Sequence, residues 1–473
     1  MNILLIRPPD PLQGSALLSH TRPMNLAYLA AYLRREGFTV YLADFEVDAY
    51  SEETLRNLLQ QLQPRLVGVS CCTPTIVNGA KICEAVKKFD PGIATVVGGS
   101  HASGLIIPTL EEFPSFDYLV FGEGEQTLAE LCGRVENSAE VEGVDGLAYR
   151  SGSGVEAASP RALIADLDSL PFPARDLIPY DRQAGHSSRG FSNTLRSTEL
   201  FTSRGCPISC SFCAIQATFG KRVRFRSVES VEAEVRDFVQ KMQFNHVLIA
   251  DDTFTLDAVR GAAICDVLAR HGIDSWNCDT RVTSVTPELL RHMRITGCRK
   301  VAFGVESGSQ QILDRIGKGI TVERVHEAFW MARNAGIPQI EGNFIIGVDP
   351  DETAEDLEQT RRLIRDLPWD FVSIAIIVPF PGTPVYDAMR SRGMIETNAT
   401  WEDFVLFGRA PKWRTAHFSS GDLLSHQRKM TREFYLNPGY ITRQLIAVRS
   451  WRDAAYWVSA GGSYLTWYLK GRA

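Results

Sequence analysis

Short apolar strands alternate with amphipathic helices along most of the chain, and this alternation restricts the fold more than any other feature. Helical segments separate five predicted strands in the first stretch, at residues 2–6, 38–42, 66–70, 93–97 and 118–121. Parallel strands need a crossover connection, usually a helix, so this order predicts a parallel sheet. We therefore predict an α/β protein whose residues 1–135 form a doubly wound, Rossmann-like domain that binds ligands at the carboxyl ends of its strands.

A second stretch of the same kind begins near residue 199. Its predicted strands are at residues 199–203, 246–250, 275–281, 300–305, 339–346 and 371–378, with helices between them. Gly317 and Gly319 predict a break in the helical segment 309–333. Six strand–helix steps favour a partial (β/α)6 barrel of the TIM type over residues 199–395. A second Rossmann-like sheet is the alternative.

Two regions lack this alternation of strands and helices. Residues 136–198 contain a hairpin tip at 151–154 and the Pro-rich stretch 170–173, which excludes regular helix, so we interpret them as a linker with a hairpin and a strap. Residues 396–473 are predicted to form a small helical C-terminal domain. Its aromatic side chains indicate either a packed helical cap or a surface that makes weak contact with a membrane or an apolar substrate: Trp451, Tyr456, Trp457, Tyr464, Trp467 and Tyr468.

The composition excludes several classes of protein. Fifty basic and 56 acidic residues leave a net charge of −6, so the chain has no overall positive charge for nucleic acid. Apolar residues make up 44% of the chain, which is typical of globular proteins. No apolar run is long enough for a membrane-spanning helix, and the N-terminus has no basic start of a signal peptide. A cytoplasmic location is the expectation.

Three of the ten cysteines lie within eight residues, at Cys206, Cys210 and Cys213. Zinc sites usually use two separated cysteine pairs, or cysteines with histidines, and structural iron–sulfur clusters normally take four cysteines. Three thiolates would leave one metal position open for a substrate. Three unrelated buried thiols are the alternative, but the flanking Gly205, Pro207 and the basic stretch 221–226 argue against it.

This loop resembles the CxxxCxxC signature of the radical S-adenosylmethionine (SAM) enzymes, including Phe212 before the last cysteine. The resemblance implies that the three thiolates hold a 4Fe–4S cluster whose open iron chelates SAM. It also implies one-electron cleavage of SAM to a 5′-deoxyadenosyl radical, with the electron from an external donor such as flavodoxin or ferredoxin. The family fold, a partial TIM barrel with the cluster loop after its first strand, agrees with the strand count.

Further resemblances to this family lie at the ends of the predicted barrel strands. They comprise 249–254, 279–281, the Gly-x-Glu-Ser-Gly element at 304–308, the glycine-bearing strand 342–347 and the loop 378–384. Carboxylates suit an ammonium group, an arginine suits a carboxylate, and glycine admits a flat base. The resemblance therefore implies SAM contacts by Asp251, Asp252, Arg281, Glu306, Ser307 and Gly342.

Residues 1–135 resemble the cobalamin-binding domain that precedes many radical SAM barrels. Four segments carry the resemblance: 23–30, 68–75, 98–102 and 122–125. It implies that the corrin and its nucleotide tail lie against Ser70, Thr73, Gly98, Gly99, His101, Glu123, Gly124 and Glu125. The Asp-x-His-x-x-Gly motif that supplies a cobalt ligand elsewhere is absent, so His101 is interpreted as a hydrogen-bonding loop residue.

These resemblances leave three hypotheses. The first is a cobalamin-dependent radical SAM enzyme that methylates an unactivated carbon of a small-molecule, lipid or natural-product substrate. The second is a cyclase, ring-contracting or carbon–carbon bond-forming enzyme of the same architecture that transfers no methyl group. The third is a cobalamin or iron–sulfur sensor, which an open iron position disfavours because a sensor does not need one.

Overall fold

Two main β-sheets organise the chain, and the computed structural model describes residues 1–12, 22–152, 154–180, 196–407 and 409–447. The first sheet has seven strands in the order β2-β1-β3-β4-β5-β6-β7. Its strands are β1 (Asn2–Arg7), β2 (Thr39–Asp44), β3 (Leu66–Ser70), β4 (Ala94–Gly98), β5 (Tyr118–Val120), β6 (Leu147–Ser151) and β7 (Gly154–Ala157).

The five predicted strands of this sheet are present and parallel, and their order reverses between β1 and β3. In doubly wound sheets such a reversal opens a crevice at the carboxyl ends of the strands, where ligands bind. The hairpin expected in the linker is present as β6 and β7, but β6 pairs antiparallel with β5. It therefore extends the first sheet, although the sequence assigned it to the linker.

Helices cover both faces of the first sheet: α1 (Met24–Arg35), α2 (Glu52–Leu62), α3 (Ile76–Phe89), α4 (Ser100–Gly104), α5 (Ile106–Glu112) and α6 (Gly124–Glu136). The alternation of side chains along β1 divides the core in two. Leu4 and Ile6 belong to one buried cluster, while Ile3 and Leu5 belong to the other. Burial on both faces explains why the strand is a continuous apolar run.

The second sheet holds six parallel strands in the order β15-β14-β13-β12-β11-β8, with a separate two-stranded ribbon formed by β9 and β10. These strands are β8 (Ser197–Leu200), β9 (Ser203–Arg204), β10 (Arg224–Phe225), β11 (His246–Ile249), β12 (Ser275–Thr280), β13 (Cys298–Glu306), β14 (Gln339–Ile346) and β15 (Phe371–Ile376). The six-strand order never reverses, unlike that of a doubly wound sheet, so the structure favours the predicted partial barrel. Strands β8 and β15 are its two edges.

Helices connect the barrel strands: α7 (Ile215–Phe219), α8 (Val228–Met242), α9 (Ala258–Arg270), α10 (Pro287–Ile295), α11 (Gln310–Arg315), α12 (Val322–Asn334), α13 (Ala354–Asp366) and α14 (Pro384–Ser391). The predicted helix break is confirmed. Gly317 and Gly319 both have positive φ between α11 and α12, a conformation that glycine adopts without strain.

Residues before the barrel bind its first strand from the outside. Arg22 lies 3.3 Å from a carboxylate oxygen of Glu199 in β8, and Arg175 donates a 2.8 Å hydrogen bond to the Glu199 carbonyl. Arg175 lies in a 3₁₀ turn of the strap that the sequence placed in the linker. These arginines therefore tie the first half of the chain and the strap to an edge of the barrel.

The C-terminal region packs helices against the last barrel strand. Helix α15 (Ser420–Tyr435) contacts β15 through Gln427 and Tyr435, and α16 (Pro438–Ala447) follows it. The predicted aromatic group from Trp451 to Tyr468 lies outside the described residues. Within the described ranges, no helix has the length and apolar character needed to cross a bilayer.

Candidate functional site

A cavity of about 660 Å³ lies between the carboxyl edge of the first sheet and the mouth of the barrel. The cavity wall includes Arg7 and Pro8 at the end of β1, and Ser70 and Cys71 at the end of β3. The cavity therefore includes the crevice where the strand order reverses. The opposite wall comes from the second half of the chain: Phe201, Ser203, Arg204, Ala214, Ile215, Thr218, Phe219, Ala250 and Asp252. Both halves are thus needed to form it.

Six of the eight residues predicted to contact cobalamin line this cavity: Ser70, Gly98, Gly99, Glu123, Gly124 and Glu125. Ser70 accepts a 2.7 Å hydrogen bond from the Asn25 amide. Gly99 has a φ of +104°, and an added β-carbon would lie 2.4 Å from the Cys71 carbonyl oxygen. A side chain there would be both strained and in collision, so glycine is needed for this turn at the cavity edge.

The other two, Thr73 and His101, lie outside the cavity lining. The His101 ring packs edge-on against Trp401 with 4.8 Å between ring centroids, and its Nδ1 lies 3.3 Å from the Thr73 hydroxyl. Burial lowers the pKa of His101 to about 4, so the ring is neutral at pH 7. The interpretation of His101 as a hydrogen-bonding residue agrees with this geometry, whereas the prediction that both residues touch the corrin does not.

Glu123 and Glu125 line the cavity, but their carboxylates are bound to arginines from the barrel side. Arg204 donates to Glu123 at 2.9 Å and to Glu125 at 2.6 Å, and Arg224 donates to Glu123 at 2.6 Å. Glu123 also accepts the Ile164 amide at 2.8 Å. The two residues thus border the cavity as predicted and also bind arginines that lie about 80 to 100 positions away in the chain, a pairing that the sequence could not predict.

The three-cysteine loop follows β9 at the mouth of the barrel. Gly205 begins it with a φ of +92°, and an added β-carbon there would lie 2.6 Å from the Arg222 carbonyl oxygen, so this position requires glycine. Backbone hydrogen bonds of 2.9 Å from Ser211 to Ile316 and of 3.0 Å from Val385 to Ser211 hold the loop against the barrel. Its thiols, on Cys206, Cys210 and Cys213, are partly exposed and unpaired.

The donor chemistry of this loop fits an iron–sulfur cluster. Three thiols share one short loop, and thiolates are the usual ligands of such clusters. Among the described residues, no three histidine, cysteine or acidic side chains are grouped to hold a single metal ion. That finding is compatible with a cluster, since each thiolate of a four-iron cluster binds a different iron and the ligands stand farther apart than those around one ion.

Charged groups surround the loop at the ends of the barrel strands. Burial raises the pKa of the Cys210 thiol, while nearby Lys318 and Arg281 act to lower it. Glu306 pairs with Lys318 at 2.6 Å, and Arg281 donates to the Lys318 carbonyl. Lys318 was missed by the sequence analysis. The available signal was its position between Gly317 and Gly319, which the sequence analysis uses only to predict a helix break.

Glu306 has a φ of +70°, which is rare for a residue with a side chain. It lies beside a register shift in the pairing of β13 with β14. Such a conformation costs about 1–3 kcal/mol and is concentrated at functional sites. In this conformation the Glu306 carboxylate pairs with Lys318.

The paired aspartates after β11 have different environments. Asp251 is buried and accepts hydrogen bonds from the backbone and hydroxyl groups of Thr202 and Ser203, so it holds the start of the cluster loop instead of facing the cavity. Asp252 lines the cavity and interacts with Cys213. Burial and the neighbouring Asp251 raise the pKa of Asp252 to about 6.

Two further predicted SAM residues serve packing. The Ser307 hydroxyl is fully buried and lies 3.1 Å from the Thr360 hydroxyl on α13. A β-carbon on Gly342 would lie 2.8 Å from the Phe344 ring and 3.2 Å from the Trp369 indole, so this glycine makes room for core aromatic rings. Of the six predicted residues, Asp252, Arg281 and Glu306 are therefore the ones grouped around the thiol loop.

Two family models match the chain, one to each side of the cavity. Residues 200–364 match the radical SAM superfamily, and residues 15–132 match the B12 binding domain. An uncharacterized methyltransferase of Pyrococcus horikoshii is 31% identical over 447 residues, which cover 94% of this chain and 95% of that protein. The chain belongs to the radical SAM enzymes that carry a cobalamin-binding domain. The resemblance seen in the sequence is thus confirmed.

This radical SAM enzyme has relatives of more than one activity. The anaerobic magnesium-protoporphyrin IX monomethyl ester cyclase of Rubrivivax gelatinosus is 28% identical over 449 residues, covering 93% of this chain and 78% of the cyclase. The fold is that of the radical SAM methyltransferase TsrM from Kitasatospora setae, solved with cobalamin and a 4Fe–4S cluster. That structure gives a TM-score of 0.70 at 18% identity, covering 93% of this chain and 89% of TsrM.

Proposed function

We propose that this radical SAM enzyme methylates an unactivated carbon of a small-molecule or lipid-like substrate, using cobalamin, SAM and a 4Fe–4S cluster. One observation carries the proposal: the cavity is bounded by the carboxyl edge of the B12-type sheet on one side and, on the other, by barrel residues that include those on both flanks of the three-cysteine loop. Methyl transfer of this kind needs both cofactors and the substrate carbon in one enclosed space.

The thiolates of Cys206, Cys210 and Cys213 would hold the cluster and leave one iron for SAM. The bound cluster supplies the electron that cleaves SAM, and the bound corrinoid supplies the methyl carrier. The protein positions these groups and limits the access of water. Lys318 pairs with the buried Glu306 carboxylate at 2.6 Å, so neither charge lacks a partner in this part of the protein.

Side chains around the loop would orient SAM. Asp252 and Glu306 are the carboxylates near the thiols and suit its ammonium group, while Arg281 and Lys318 suit its carboxylate. Asp251, Ser307 and Gly342 would act indirectly, because Asp251 and Ser307 fix the backbone after β11 and β13, and Gly342 makes room for core rings inside β14.

The first sheet would hold the corrinoid at Ser70, Gly98, Gly99 and Gly124, where small residues leave the backbone open to a large flat ring. Among the described residues, the cavity lining includes no histidine. We expect cobalt to have no strong protein imidazole ligand because the sequence lacks the Asp-x-His-x-x-Gly motif. We assign residues 1–135 to the cobalamin-binding domain, 136–198 to the linker, 199–395 to the barrel and 396–473 to the C-terminal domain.

The expected surroundings follow from the chemistry. A reductant such as flavodoxin or ferredoxin would supply single electrons. All ten cysteines are unpaired, which is typical of a reducing compartment and supports a cytoplasmic location. Ring formation without methyl transfer is the second candidate, because a cyclase is among the relatives.

The test is an anaerobic assay of the reconstituted enzyme with SAM labelled in its methyl group. Wild type should bind a corrinoid and a cluster and cleave SAM. Alanine at Cys206, Cys210 or Cys213 should abolish the cluster absorbance and the formation of 5′-deoxyadenosine. Cys72→Ala, which removes an exposed thiol outside the loop, should keep the iron content of wild type.

Four results would count against the proposal or one of its parts. A triple cysteine variant that still bound four irons would refute the cluster assignment. Failure of wild type to retain any corrinoid, or a product from candidate substrates that gained no label, would favour the second candidate. Nitrogen splitting in the cob(II)alamin electron paramagnetic resonance signal would reveal an axial histidine and refute the ligation expectation.

A further inference from the structure

Four buried charged side chains connect the first sheet to the barrel mouth. They are Glu123, Glu125, Arg204 and Arg224, which we call the Arg204 network. Glu123 and Glu125 stand at the start of α6, and Arg204 contacts both carboxylates through two different nitrogens. The four side chains are between 3% and 11% exposed. Two positive and two negative charges therefore neutralise each other inside the protein.

The ribbon of β9 and β10 places both arginines on one face. Arg204 and Arg224 are directly opposite each other in this antiparallel pair, where like charges are destabilising. Glu123 resolves that conflict, because one of its oxygens accepts from Arg204 and the other accepts from Arg224. The ribbon and the first sheet are thus fixed to each other through a single carboxylate, with Glu125 as a second anchor.

Arg204 is also next to the groups that we assign to the cofactors. It is followed by Gly205, whose amide donates to Asp252, and then by Cys206. Its guanidinium lies 5.5 Å from the ring centroids of both Tyr28 in α1 and Phe219 in α7. The side chain therefore touches the first sheet's helices, the cavity wall and the base of the three-cysteine loop.

Stability alone does not explain this arrangement. Replacing a buried ion pair by apolar residues of similar volume is often neutral or stabilising, because removing charges from water is costly. A guanidinium that binds two carboxylates through different nitrogens also fixes the geometry of the groups that it joins. Here both carboxylate partners belong to the first sheet's side of the cavity, and Arg204 itself belongs to the strand that leads into the thiol loop on the other side.

We infer that Arg204, held by Glu123 and Glu125, is a positioning residue that sets the separation between the three-cysteine loop and the carboxyl edge of the first sheet. This inference rests on the proposed function, in which that separation is the distance from the cluster to the cobalt. Weakening the network should change the distance and its spread while both cofactors stay bound.

The experiment compares Glu125→Gln and Arg204→Lys with wild type as holoenzymes. Glu125→Gln keeps the shape of the side chain but removes its charge, and Arg204→Lys keeps the charge but loses the fork. Glu130→Gln is the matched control, since Glu130 lies in the same helix and binds Arg161, which belongs to the first half of the chain. The main readout is the magnetic interaction between cob(II)alamin and the reduced cluster by electron paramagnetic resonance.

A second readout uses SAM alone as the probe. The ratio of S-adenosylhomocysteine to 5′-deoxyadenosine compares methyl removal from SAM with its reductive cleavage. In both variants we expect a changed magnetic interaction and at least a fivefold change in this ratio, with corrinoid and iron contents within 20% of wild type. Glu130→Gln should match wild type within twofold.

Unchanged magnetic interaction and ratio in Glu125→Gln and Arg204→Lys would overturn the inference. Loss of cofactors together with a lower melting temperature would also overturn it, because the network would then serve only the fold. If wild type itself bound no corrinoid, the proposed function would fail first, and that result is distinguishable because it precedes any variant.

Discussion

Glu352 carries a buried carboxyl group in the loop after β14. One of its oxygens accepts the Gly347 amide, and the other has no hydrogen-bond partner among the described residues. Burial, with smaller effects of Asp356 and Asp349, raises the pKa of Glu352 to about 8. The group is therefore protonated in the folded protein at pH 7 but ionised in the unfolded chain.

This difference predicts a stability that falls as pH rises. The raised folded pKa means that the contribution of Glu352 is fully present below its unfolded pKa of 4.5 and is lost as pH rises toward 8. Glu352→Gln removes the titration, so its stability relative to wild type should rise by about 2–3 kcal/mol between pH 5 and pH 7. Urea unfolding at the two pH values measures it. Glu355→Gln, at an exposed position, is the control, and equal pH slopes in all three proteins would contradict the assignment.

At the scale of single residues, the sequence was most informative about residues whose contacts are close to them in the chain. The three cysteines share one loop, and Asp252, Arg281 and Glu306 end adjacent strands, so the short motifs that carry the family resemblance already singled out these residues. The partners of Glu123 and of Ser307 lie far away in the chain, at Arg204 and Thr360. Which of two adjacent aspartates faces a cavity also depends on packing that no local pattern encodes.

At the scale of elements, the turn after β13 is packed directly against the backbone of α13. A β-carbon on Gly308 would lie 2.6 Å from both the Gln359 carbonyl oxygen and the Thr360 α-carbon. The buried Ser307 hydroxyl contacts the same helix at Thr360. This approach fixes the end of β13, and with it the strained Glu306.

Gly308→Ala should lower the free energy of unfolding by about 1–3 kcal/mol, because backbone atoms cannot move aside as a side chain can. Gly421→Ala is the matched control in α15, where the nearest atom to a new β-carbon is 3.8 Å away. There, alanine should be neutral or stabilising by about 0.5–1 kcal/mol. Thermal unfolding of both variants measures this, and equal melting temperatures would mean that α13 can shift without cost.

Strands and helices were predictable here because their apolar periodicity is local. The five parallel strands of the first sheet and the six of the barrel appear where the pattern indicates, as does the helix break at Gly317. The pairing of β6 with β5 was not predictable. A hairpin specifies its own two strands, but which sheet edge it joins depends on surfaces that form only after folding.

At the scale of the whole molecule, the C-terminal region reaches back to the first sheet. Trp401 packs on His101 and donates to Glu112 at 2.8 Å. Nearby, the halves meet backbone to backbone, since a β-carbon on Gly104 would lie 2.4 Å from the Pro381 carbonyl oxygen. The neutral state of His101 therefore depends on a residue 300 positions later in the chain.

Trp401→Ala should return the pKa of His101 from about 4 toward the ordinary 6.5, because burial is what lowers it. Nuclear magnetic resonance titration of histidine-labelled protein measures the change. The loss of packing should also destabilise the protein by about 1–3 kcal/mol. Trp330→Ala, at a side chain that is 46% exposed, should leave the His101 titration unchanged. If the His101 pKa stayed near 4 in Trp401→Ala, groups other than Trp401 would be responsible for burying the ring.

Strand β8 is an edge of the barrel, and Arg22 and Arg175 flank it from earlier parts of the chain. If the barrel were separated from those parts, β8 would expose unpaired backbone N–H and C=O groups. Such an exposed edge strand can pair with a strand of another copy of the protein. Arg175 binds one of these backbone groups, the Glu199 carbonyl, so we expect the first half of the chain to limit such pairing. During synthesis Arg22 and Arg175 are made before β8, so the residues that contact this edge strand are already present when β8 emerges from the ribosome.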